Sequence, residues 1–281
     1  MTEARHLATK YDIAVWRVLD TGWQDGASNM AIDEAILQGV AAGHSPPTLR
    51  FYGWDPPCLS LGYAQRRHVV NDAACLSHGW DIVRRPTGGR AILHIDELTY
   101  SVCAPEVEPR VQGSILTSYR RLSDALAAGL ELLGLQPARA EGSENSDGGG
   151  GPACFDAPSN FEITLAGRKL IGSAQARKQG VVLQHGTLPL YGDITRVAEA
   201  LSFDGDQCAT IRKRLLESAI TLEESLGQRL SYSHVAAHIG KGFATALNLR
   251  LEPGELSSWE KEQAQLSRAE KFANAAWTER L

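Results

Sequence analysis

The chain has 281 residues, of which 43% are hydrophobic and 22% are charged, and its formal net charge is −5. This length can bury a substantial core in one large domain, or in a large domain joined to a small one. The acidic balance argues against general nucleic-acid binding, and no apolar run approaches the ~20 residues of a membrane span. We therefore expect neither nucleic acid nor a membrane as a partner.

The first half of the chain is predicted to contain two helices among several strands. Asn29 is predicted to cap a helix that ends near Gly43, because apolar residues recur between them at helical spacing. A short helix is predicted over 71–78. Alternating and β-branched runs bounded by turn residues predict strands at 49–54, 58–62, 80–85, 91–94 and 98–103.

The second half begins with a strongly amphipathic helix, because apolar residues recur every three or four positions from Leu116 to Leu133. The glycine-rich segment 141–153 then predicts a mobile loop within one domain. A meander follows, with strands predicted at 161–165, 169–176 and 181–190, and from Thr195 onward the pattern is helical.

This order of elements indicates an α/β or α+β protein, with a mixed β-sheet core flanked by helices. We divide the chain into a main domain, 1–250, and a small helical C-terminal extension, 251–281. The division follows the composition of the last residues, which are rich in Glu, Lys, Gln and Ala.

The five cysteines are scattered and include no C-x-x-C pair. An odd, unclustered set argues against a disulfide framework and against a structural zinc site. Residues 1–10 are polar and lack the apolar core of a signal peptide. We therefore expect a cytoplasmic protein without a bound metal.

The segment from Arg84 to His94, RRPTGGRAILH, carries the strongest chemical pattern. Adjacent glycines at positions 88 and 89 let the backbone approach a ligand closely, and arginines beside them can hold a carboxylate or phosphate in a planar fork. The same residues suit an ordinary hairpin turn between strands 82–85 and 91–94. The pattern alone leaves both interpretations open.

Cys154 differs from the other cysteines in its sequence surroundings. Cys58, Cys75 and Cys103 lie in apolar strand or helix patterns and are predicted to be buried hydrophobes. Cys154 follows the glycine-rich loop and lies among prolines, which predicts an irregular segment. A loop thiol becomes a nucleophile when a nearby cation lowers its pKa, and Lys169 is the natural cation.

Strand alternation predicts that Lys169, Ile171 and Ser173 share one face of a strand. A lysine beside an apolar residue and a hydroxyl is unusual for a solvated face, although edge lysines also serve to prevent unwanted strand pairing. His94 and His185 lie in or beside apolar strands. A hydrogen-bonded structural role is the more common fate of such histidines.

Taken together, these segments resemble the lipoate/biotin protein ligase superfamily, and most closely its octanoyltransferase branch. Individually the motifs are weak, but they occur in the family order from about residue 29 to residue 190. The residues that carry the resemblance are 29–35, 60–62 with Gln65, 84–91 with His94, 97–101, 154–155 with 158–159, 167–169, 172–175 and 184–186.

The resemblance implies a biotin/lipoate protein ligase-type catalytic domain that needs no cofactor, because a thioester substrate is already activated. It implies transfer of an octanoyl group from octanoyl-acyl carrier protein to a lysine of a lipoyl-domain protein such as the glycine-cleavage H protein. Cys154 would carry the acyl group, and Lys169 would lower its pKa. Substrate contacts are implied for Arg85, Gly88, Gly89, His94, Gly172, Ser173, Ala174, His185 and Gly186.

Two other functions compete with this one. In an ATP-dependent lipoate-protein ligase, Lys169 would contact an adenylate, whereas a non-catalytic acyl- or carrier-protein-binding module would need no nucleophile. Arg90 replaces a glycine that ATP-using members of the superfamily tend to carry, which favours the transferase, as does Cys154. A basic cluster facing acidic partner proteins is also predicted, from Arg84, Arg85, Arg90, Arg168, Lys169, Arg177 and Lys178.

Overall fold

A computed structural model describes residues 11–139, 153, 162–203 and 207–281. The strands in these residues are β1 (Ala14–Gln24), β2 (Thr48–Trp54), β3 (Cys58–Leu61), β4 (Asp81–Arg84), β5 (Ile92–His94), β6 (Glu97–Pro105), β7 (Ala138–Arg139), β8 (Ile163–Leu165), β9 (Arg168–Lys178), β10 (Val181–Pro189) and β11 (Leu249–Pro253). The helices are α1 (Gly26–Ala41), α2 (Asp72–His78), α3 (Ile115–Leu132), α4 (Gln207–Ser218), α5 (Leu222–Leu226), α6 (Tyr232–Leu247), α7 (Ser258–Ser267) and α8 (Ala275–Thr278).

Two sheets organise these elements. The large one has eight strands in the order β11-β1-β2-β6-β10-β9-β8-β7, and the small one has the order β4-β3-β5. Strands β11, β1 and β2 run parallel, whereas the neighbours from β2 to β7 run antiparallel. The mixed sheet with flanking helices is confirmed, and so is the meander of β8, β9 and β10.

The large sheet is covered on both faces. Helices α3 and α6 pack on one face, where Leu122, Leu126 and Leu130 of the predicted leucine stripe join Phe243 in a common core. Helix α1 packs on the other face, and α7 packs against α1. In the part of the chain that the structure describes, no helix combines the length and the apolar character needed to cross a bilayer.

The start of α1 differs from the prediction. Asp25 is the N-cap, and its carboxylate accepts a hydrogen bond from the backbone N–H of Ser28 at 2.7 Å. Asn29 is buried inside the helix, and its amide donates to the carbonyl oxygen of Gly53 at 2.9 Å. The predicted cap is wrong because a buried amide must be hydrogen-bonded, and here its partners lie in the sheet.

The segment 84–94 is not a hairpin. Strand β3 lies between β4 and β5 and is hydrogen-bonded to both, parallel to β4 and antiparallel to β5. The residues that follow β4 therefore cross the end of β3 before they enter β5. This topology excludes the hairpin interpretation and leaves Gly88 and Gly89 in a loop that connects two non-adjacent strands.

Three strands of the large sheet, β1, β7 and β11, were not predicted. The eleven-residue β1 was missed, and β11 interrupts the helical pattern that was predicted from Thr195 onward. In β11 only Leu249 is buried, so this edge strand shows little alternation. The division of the chain at residue 250 stays a prediction, although β11 spans that position and pairs with β1.

Candidate active site

Several predicted site residues of β9 and β10 lie on the face of the large sheet that α1 covers. His185 of β10 pairs with Ser101 of β6 and Ala174 of β9, and paired residues of antiparallel strands point to the same face. The side chains of His185 and Ser101 both reach Asp33 of α1, at 3.3 and 2.7 Å. Gly172, two residues before Ala174, lies on this face as well.

Ser173 and Gly186 lie on the opposite face, under α3 and α6. The hydroxyl of Ser173 is 2.7 Å from the hydroxyl of Tyr100, whose ring contacts Phe243 of α6. A Cβ atom at Gly186 would lie 2.3 Å from Ser173 Oγ. The structure therefore separates these two residues from His185, and their contact with a substrate stays a prediction.

A β-bulge determines the direction of Lys169. Ile163 of β8 pairs with Ile171 of β9, but the next residue of β8, Thr164, pairs with Lys169. One step along β8, from Ile163 to Thr164, therefore corresponds to two steps along β9, from Ile171 to Lys169. Leu170 is the additional, unpaired residue of the bulge. A bulge of this kind reverses the alternation of side chains along its strand.

Lys169 consequently shares a face with Gly172 and Ala174. The prediction that it shares a face with Ile171 and Ser173 is wrong, because simple alternation does not hold across the bulge. The Lys169 side chain is 1% exposed, and its Nζ lies 2.5 Å from Glu162 Oε1. Two buried charges of opposite sign at this distance compensate each other's loss of hydration.

Cys154 lies outside the described residues, and so do positions 140–152. Ala153, which directly precedes Cys154 in the sequence, is fully buried and forms a parallel β-bridge with Ala91. Ala91 follows the glycine loop and leads into β5. Ala153 is therefore fixed beside the loop that contains Gly88 and Gly89.

Arg85 holds this glycine loop in place. Its guanidinium group donates to the carbonyl oxygens of Gly88 at 2.8 Å and Arg90 at 2.7 Å. Gly89 has a φ angle of +89°, a backbone conformation that glycine adopts more readily than other residues. A Cβ atom at Gly62, just after β3, would lie 1.9 Å from the carbonyl oxygen of Gly89. The loop is thus closed against β3, and a role of Arg85 toward a substrate stays a prediction.

Arg84 also donates its hydrogen bonds to backbone carbonyl oxygens. It is fully buried and donates to the carbonyl oxygens of Gly62 at 2.9 Å and Gln65 at 2.5 Å. It also donates to the carbonyl oxygen of Thr278 at 2.8 Å, which ties α8 to this part of the fold. This guanidinium group positions backbone segments and does not present a fork to an external anion.

His94 has partners for both ring nitrogens. Its Nδ1 lies 2.8 Å from Glu97 Oε1 and its Nε2 lies 2.7 Å from Ser60 Oγ. The ring stacks on Trp54, with a centroid distance of 3.9 Å. These contacts fit the structural role that is common for strand histidines, and substrate contact by His94 stays a prediction.

A buried polar network, missed in the sequence, supports the α1 face. Asp33 accepts hydrogen bonds from Arg50 at 2.7 Å and from the hydroxyl of Tyr52 at 3.0 Å. His185 connects this network to the glycine loop, because its Nε2 lies 2.6 Å from Thr87 Oγ1. The orientation of the loop is therefore coupled to α1 through Asp33 and His185.

The network shifts the pKa values of Asp33 and His185. Burial favours the protonated form of Asp33, but the Arg50 guanidinium and hydrogen bonds from His185 and Ser101 outweigh it, so the pKa of this carboxyl is lowered. Burial also lowers the pKa of His185, although Asp33 opposes that change. A neutral His185 can donate from Nδ1 to Asp33 and accept from Thr87 at Nε2.

Acidification from pH 7 to pH 5 is expected to destabilise the fold through His185. Because its pKa is lowered from 6.5 in the folded state, the unfolded chain takes up a proton in this range that the folded chain does not. This stability is complete above pH 6.5 and is lost as the pH falls through that value. Asp33, whose pKa is lowered from 3.8, loses its contribution only at lower pH.

Urea denaturation of the unaltered protein and of His185→Gln at pH 7, 6 and 5 measures this effect. The substitution is expected to reduce the loss of unfolding free energy between pH 7 and pH 5. The other seven of the eight histidines are common to both proteins and serve as the internal control. An equal loss in both proteins would contradict the prediction.

The predicted basic cluster does not form one surface. Three of its members, Arg84, Arg85 and Lys169, are buried. Arg168 and Lys178 lie at the two ends of β9, which at about 3.3 Å per residue are roughly 33 Å apart. The prediction is wrong because sequence proximity of charged residues does not reveal their burial.

The other described cysteines behave as buried hydrophobes. Cys58, Cys75 and Cys103 are all at most 1% exposed. Burial raises the pKa of each thiol, to about 11 for Cys75. The prediction for these three cysteines is confirmed. Among the residues with described positions, no group of three or more His, Cys, Asp or Glu is placed to hold a metal ion.

Comparison with known proteins identifies the family. A model of the lipoyl protein ligase A/B catalytic domain matches residues 25–244, and the chain belongs to this family. It is similar to the octanoyltransferase LipM of Moorella thermoacetica, with 46% identity over 271 residues, or 94% of this chain and 98% of that protein. The octanoyltransferase LipM of Kyrpidia tusciae is 44% identical over 265 residues, or 92% of this chain and 97% of that protein.

Solved structures share the fold at lower identity. A bi-partite lipoate protein ligase from Thermoplasma acidophilum superimposes with a TM-score of 0.80 at 21% identity, over 94% of this chain and 96% of that one. A lipoate-protein ligase A bound with ATP gives a TM-score of 0.78 at 22% identity, over 95% and 99% of the chains. At these identities the likeness concerns the fold alone. The family resemblance inferred from the motifs is confirmed.

Proposed function

We propose that the chain is an octanoyltransferase of protein lipoylation, which takes the octanoyl group from an acyl carrier protein and transfers it through Cys154. The acceptor is the ε-amine of a lysine in a lipoyl-domain protein such as the glycine-cleavage H protein. Identity of 46% to an octanoyltransferase across 94% of the chain carries the proposed reaction class. The reaction is proposed to occur in the cytoplasm.

The chemistry has two balanced steps. The Cys154 thiolate forms a bond to the acyl carbonyl carbon, and the tetrahedral intermediate expels the thiolate of the carrier's prosthetic group, which then takes up a proton. The neutral acceptor amine next attacks the acyl-enzyme, forming a C–N bond as the C–S bond breaks. The amine loses a proton and the Cys154 sulfur leaves as thiolate. Amide formation from a thioester is downhill and drives the transfer.

The described neighbours of Cys154 support its proposed place. Ala153 is anchored beside Ala91 by the β-bridge, and consecutive Cα atoms are about 3.8 Å apart. The fixed position of Ala153 beside Ala91 supports the proposal that Cys154 acts next to the glycine loop. Lys169 projects from the α1 face of the sheet, and its Nζ lies 2.5 Å from Glu162 Oε1.

The acyl tail is proposed to lie among apolar residues near this anchor. Ala91 and Ala153 belong to a buried cluster that also contains Leu93 and Val197. Burial of methylene groups contributes about 0.8 kcal/mol each, so an octanoyl chain gains several kcal/mol in such surroundings. The carbonyl end would then face the polar residues of the α1 face.

Mass spectrometry of the unaltered protein tests the function. Mixing with octanoyl-acyl carrier protein in the absence of ATP is expected to add one octanoyl group, which hydroxylamine removes. Addition of a lipoyl-domain protein is expected to move the group to that protein as a hydroxylamine-resistant amide. A requirement for ATP in the overall transfer would contradict the proposal and indicate a ligase.

Substitution of Lys169 by alanine is expected to slow the labelling of Cys154 by iodoacetamide at pH 7. An ammonium within ~4–6 Å favours the thiolate, and each unit by which the pKa rises reduces the thiolate fraction about tenfold near neutral pH. Peptide mass spectrometry would follow the label on Cys154. Lys178→Ala, at the exposed end of the same strand, is the matched control with unchanged labelling expected.

A second variant is needed in this experiment because Lys169 is paired with Glu162. Removal of Lys169 alone leaves a buried carboxylate, which can disturb the fold. The combined change Lys169→Met with Glu162→Gln removes both charges and keeps the volumes similar. Equal labelling rates in the folded double variant and in the unaltered protein would exclude the assigned role of Lys169.

A further inference from the structure

Thr187 has a buried hydroxyl group that the fold does not use. The residue lies in β10 and is 1% exposed, and Thr187 Oγ1 has no hydrogen-bond partner among the residues that the structure describes. Buried hydroxyl groups in folded proteins nearly always have a partner. An unpaired one in a candidate active site therefore points to a ligand group that supplies the missing bond.

The position of Thr187 places this hydroxyl within the candidate site. Thr187 pairs with Gly172 of β9 and is two residues from His185 on the same strand, so all three lie on the α1 face. Along β9 and β10, Thr187 lies between His185, which contacts the glycine loop through Thr87, and the end of β9 that carries Lys169.

The neighbouring strands offer the buried hydroxyl no hydrogen bond. Gly172, directly opposite in β9, has no side chain, which favours close approach of a ligand at this point. Thr99, directly opposite in β6, already donates its hydroxyl hydrogen to Glu97 and accepts a hydrogen bond from Trp54 at 2.8 Å. Neither neighbour is placed to satisfy Thr187.

We propose that Thr187 is a catalytic residue whose hydroxyl donates a hydrogen bond to the carbonyl oxygen of the octanoyl group. This inference rests on the proposed function. When the Cys154 thiolate adds to the carbonyl carbon, the π electrons of the C=O bond move to oxygen and create an oxyanion. The Thr187 O–H keeps its proton and stabilises that charge until the C=O bond re-forms and the carrier thiolate leaves.

The carbonyl oxygen is the part of the substrate that suits this group. The acyl tail is apolar and cannot accept a hydrogen bond, and the acceptor amine is present only in the second step. The carbonyl oxygen is present in both steps and becomes more negative in each. A fixed donor in a dry site stabilises such a charge more strongly than water does, because it need not reorganise.

Two variants of Thr187 test the inference in single-turnover acylation by octanoyl-acyl carrier protein, followed by mass spectrometry. Thr187→Val removes the hydroxyl with little change of shape and is expected to slow acylation about 100-fold, the usual effect of losing one such donor. Thr187→Ser keeps the hydroxyl and is expected to stay within a few fold of the unaltered rate. The KM for the carrier protein is expected to change little.

Thermal unfolding separates catalysis from structure. Thr187→Val replaces an unpaired buried hydroxyl by a methyl group, so its Tm is expected to equal or exceed that of the unaltered protein. Thr48→Val is the matched control, because Thr48 is also buried in a strand but donates to the carbonyl oxygen of Pro46 at 2.8 Å. Its Tm is expected to fall while its acylation rate stays unchanged.

The outcomes are distinguishable. Normal acylation of Thr187→Val would overturn the inference and leave the proposed function standing. Slow acylation combined with a markedly lower Tm, or equally slow acylation of Thr187→Ser, would indicate a structural role and also overturn it. An unaltered protein that acquires no octanoyl group would overturn the proposed function together with the inference.

Discussion

Cys154→Ala is expected to reduce octanoyl transfer by about 10⁴-fold or more and to abolish the covalent acyl-enzyme. Loss of the nucleophile in a covalent mechanism removes both steps at once, and only binding and oxyanion stabilisation remain. Intact-mass spectrometry after mixing with octanoyl-acyl carrier protein measures the acyl-enzyme. Formation of octanoylated lipoyl domain measures the overall rate.

Cys208→Ser is the matched control for this substitution. Cys208 lies in α4 and is half-buried, and it is free in the structure. Its replacement is expected to leave acyl uptake unchanged. Cys58, Cys75 and Cys103 are excluded as alternative carriers by burial, which raises the pKa of each thiol. An octanoyl group that still attaches to Cys154→Ala would refute the mechanism.

The sequence alone predicts the helices and strands in which hydrophobic residues recur at a clear period. The leucines at 122, 126 and 130 repeat every four residues, and they form the buried stripe of α3. The meander strands alternate or form continuous apolar runs between glycine turns, and they pair as predicted. Local periodicity is strong in these segments because one face or both faces are buried against a common core.

Contacts between distant segments account for the errors. Asn29 has the residue type of a helix cap, but its amide bonds to the backbone of β2. The segment around Gly88 has the composition of a hairpin, but β3 separates the two strands. Lys169 was assigned to the wrong face because one bulge residue at position 170 shifts the register. None of these relations is encoded in a short window of sequence.

The burial of Asp33 and Arg50 in an ion pair could have been predicted from the sequence. Arg50 lies in the apolar strand segment LRFYGW, and Asp33 lies among apolar residues of α1. Charged residues are almost never fully buried unless they are paired. One acid and one base, each within an apolar run, thus indicate a buried ion pair. The sequence does not show that these two residues are each other's partners, because they meet only when α1 packs onto β2.

Asp33→Ala is expected to lower the free energy of unfolding by about 3–5 kcal/mol, the usual range when one member of a buried ion pair is removed. Asp33 and Arg50 are both fully buried, with 2.7 Å between them. Without the carboxylate, the neutral oxygens of Asn29 and Thr21 remain as partners of the guanidinium. Urea denaturation at pH 7 measures the change.

Glu224→Ala provides the control for Asp33→Ala. Glu224 pairs with Arg168 at the same 2.7 Å, but the carboxylate side chain is 52% exposed. Exposed pairs contribute about 0–1 kcal/mol, so the two sites differ in burial and in the further hydrogen bonds that Asp33 accepts. A loss at Asp33 no larger than that at Glu224 would contradict the argument. Asp33 contacts His185, and His185 contacts Thr87 of the glycine loop. Asp33→Ala is therefore also expected to slow octanoyl transfer in the fraction of the protein that remains folded.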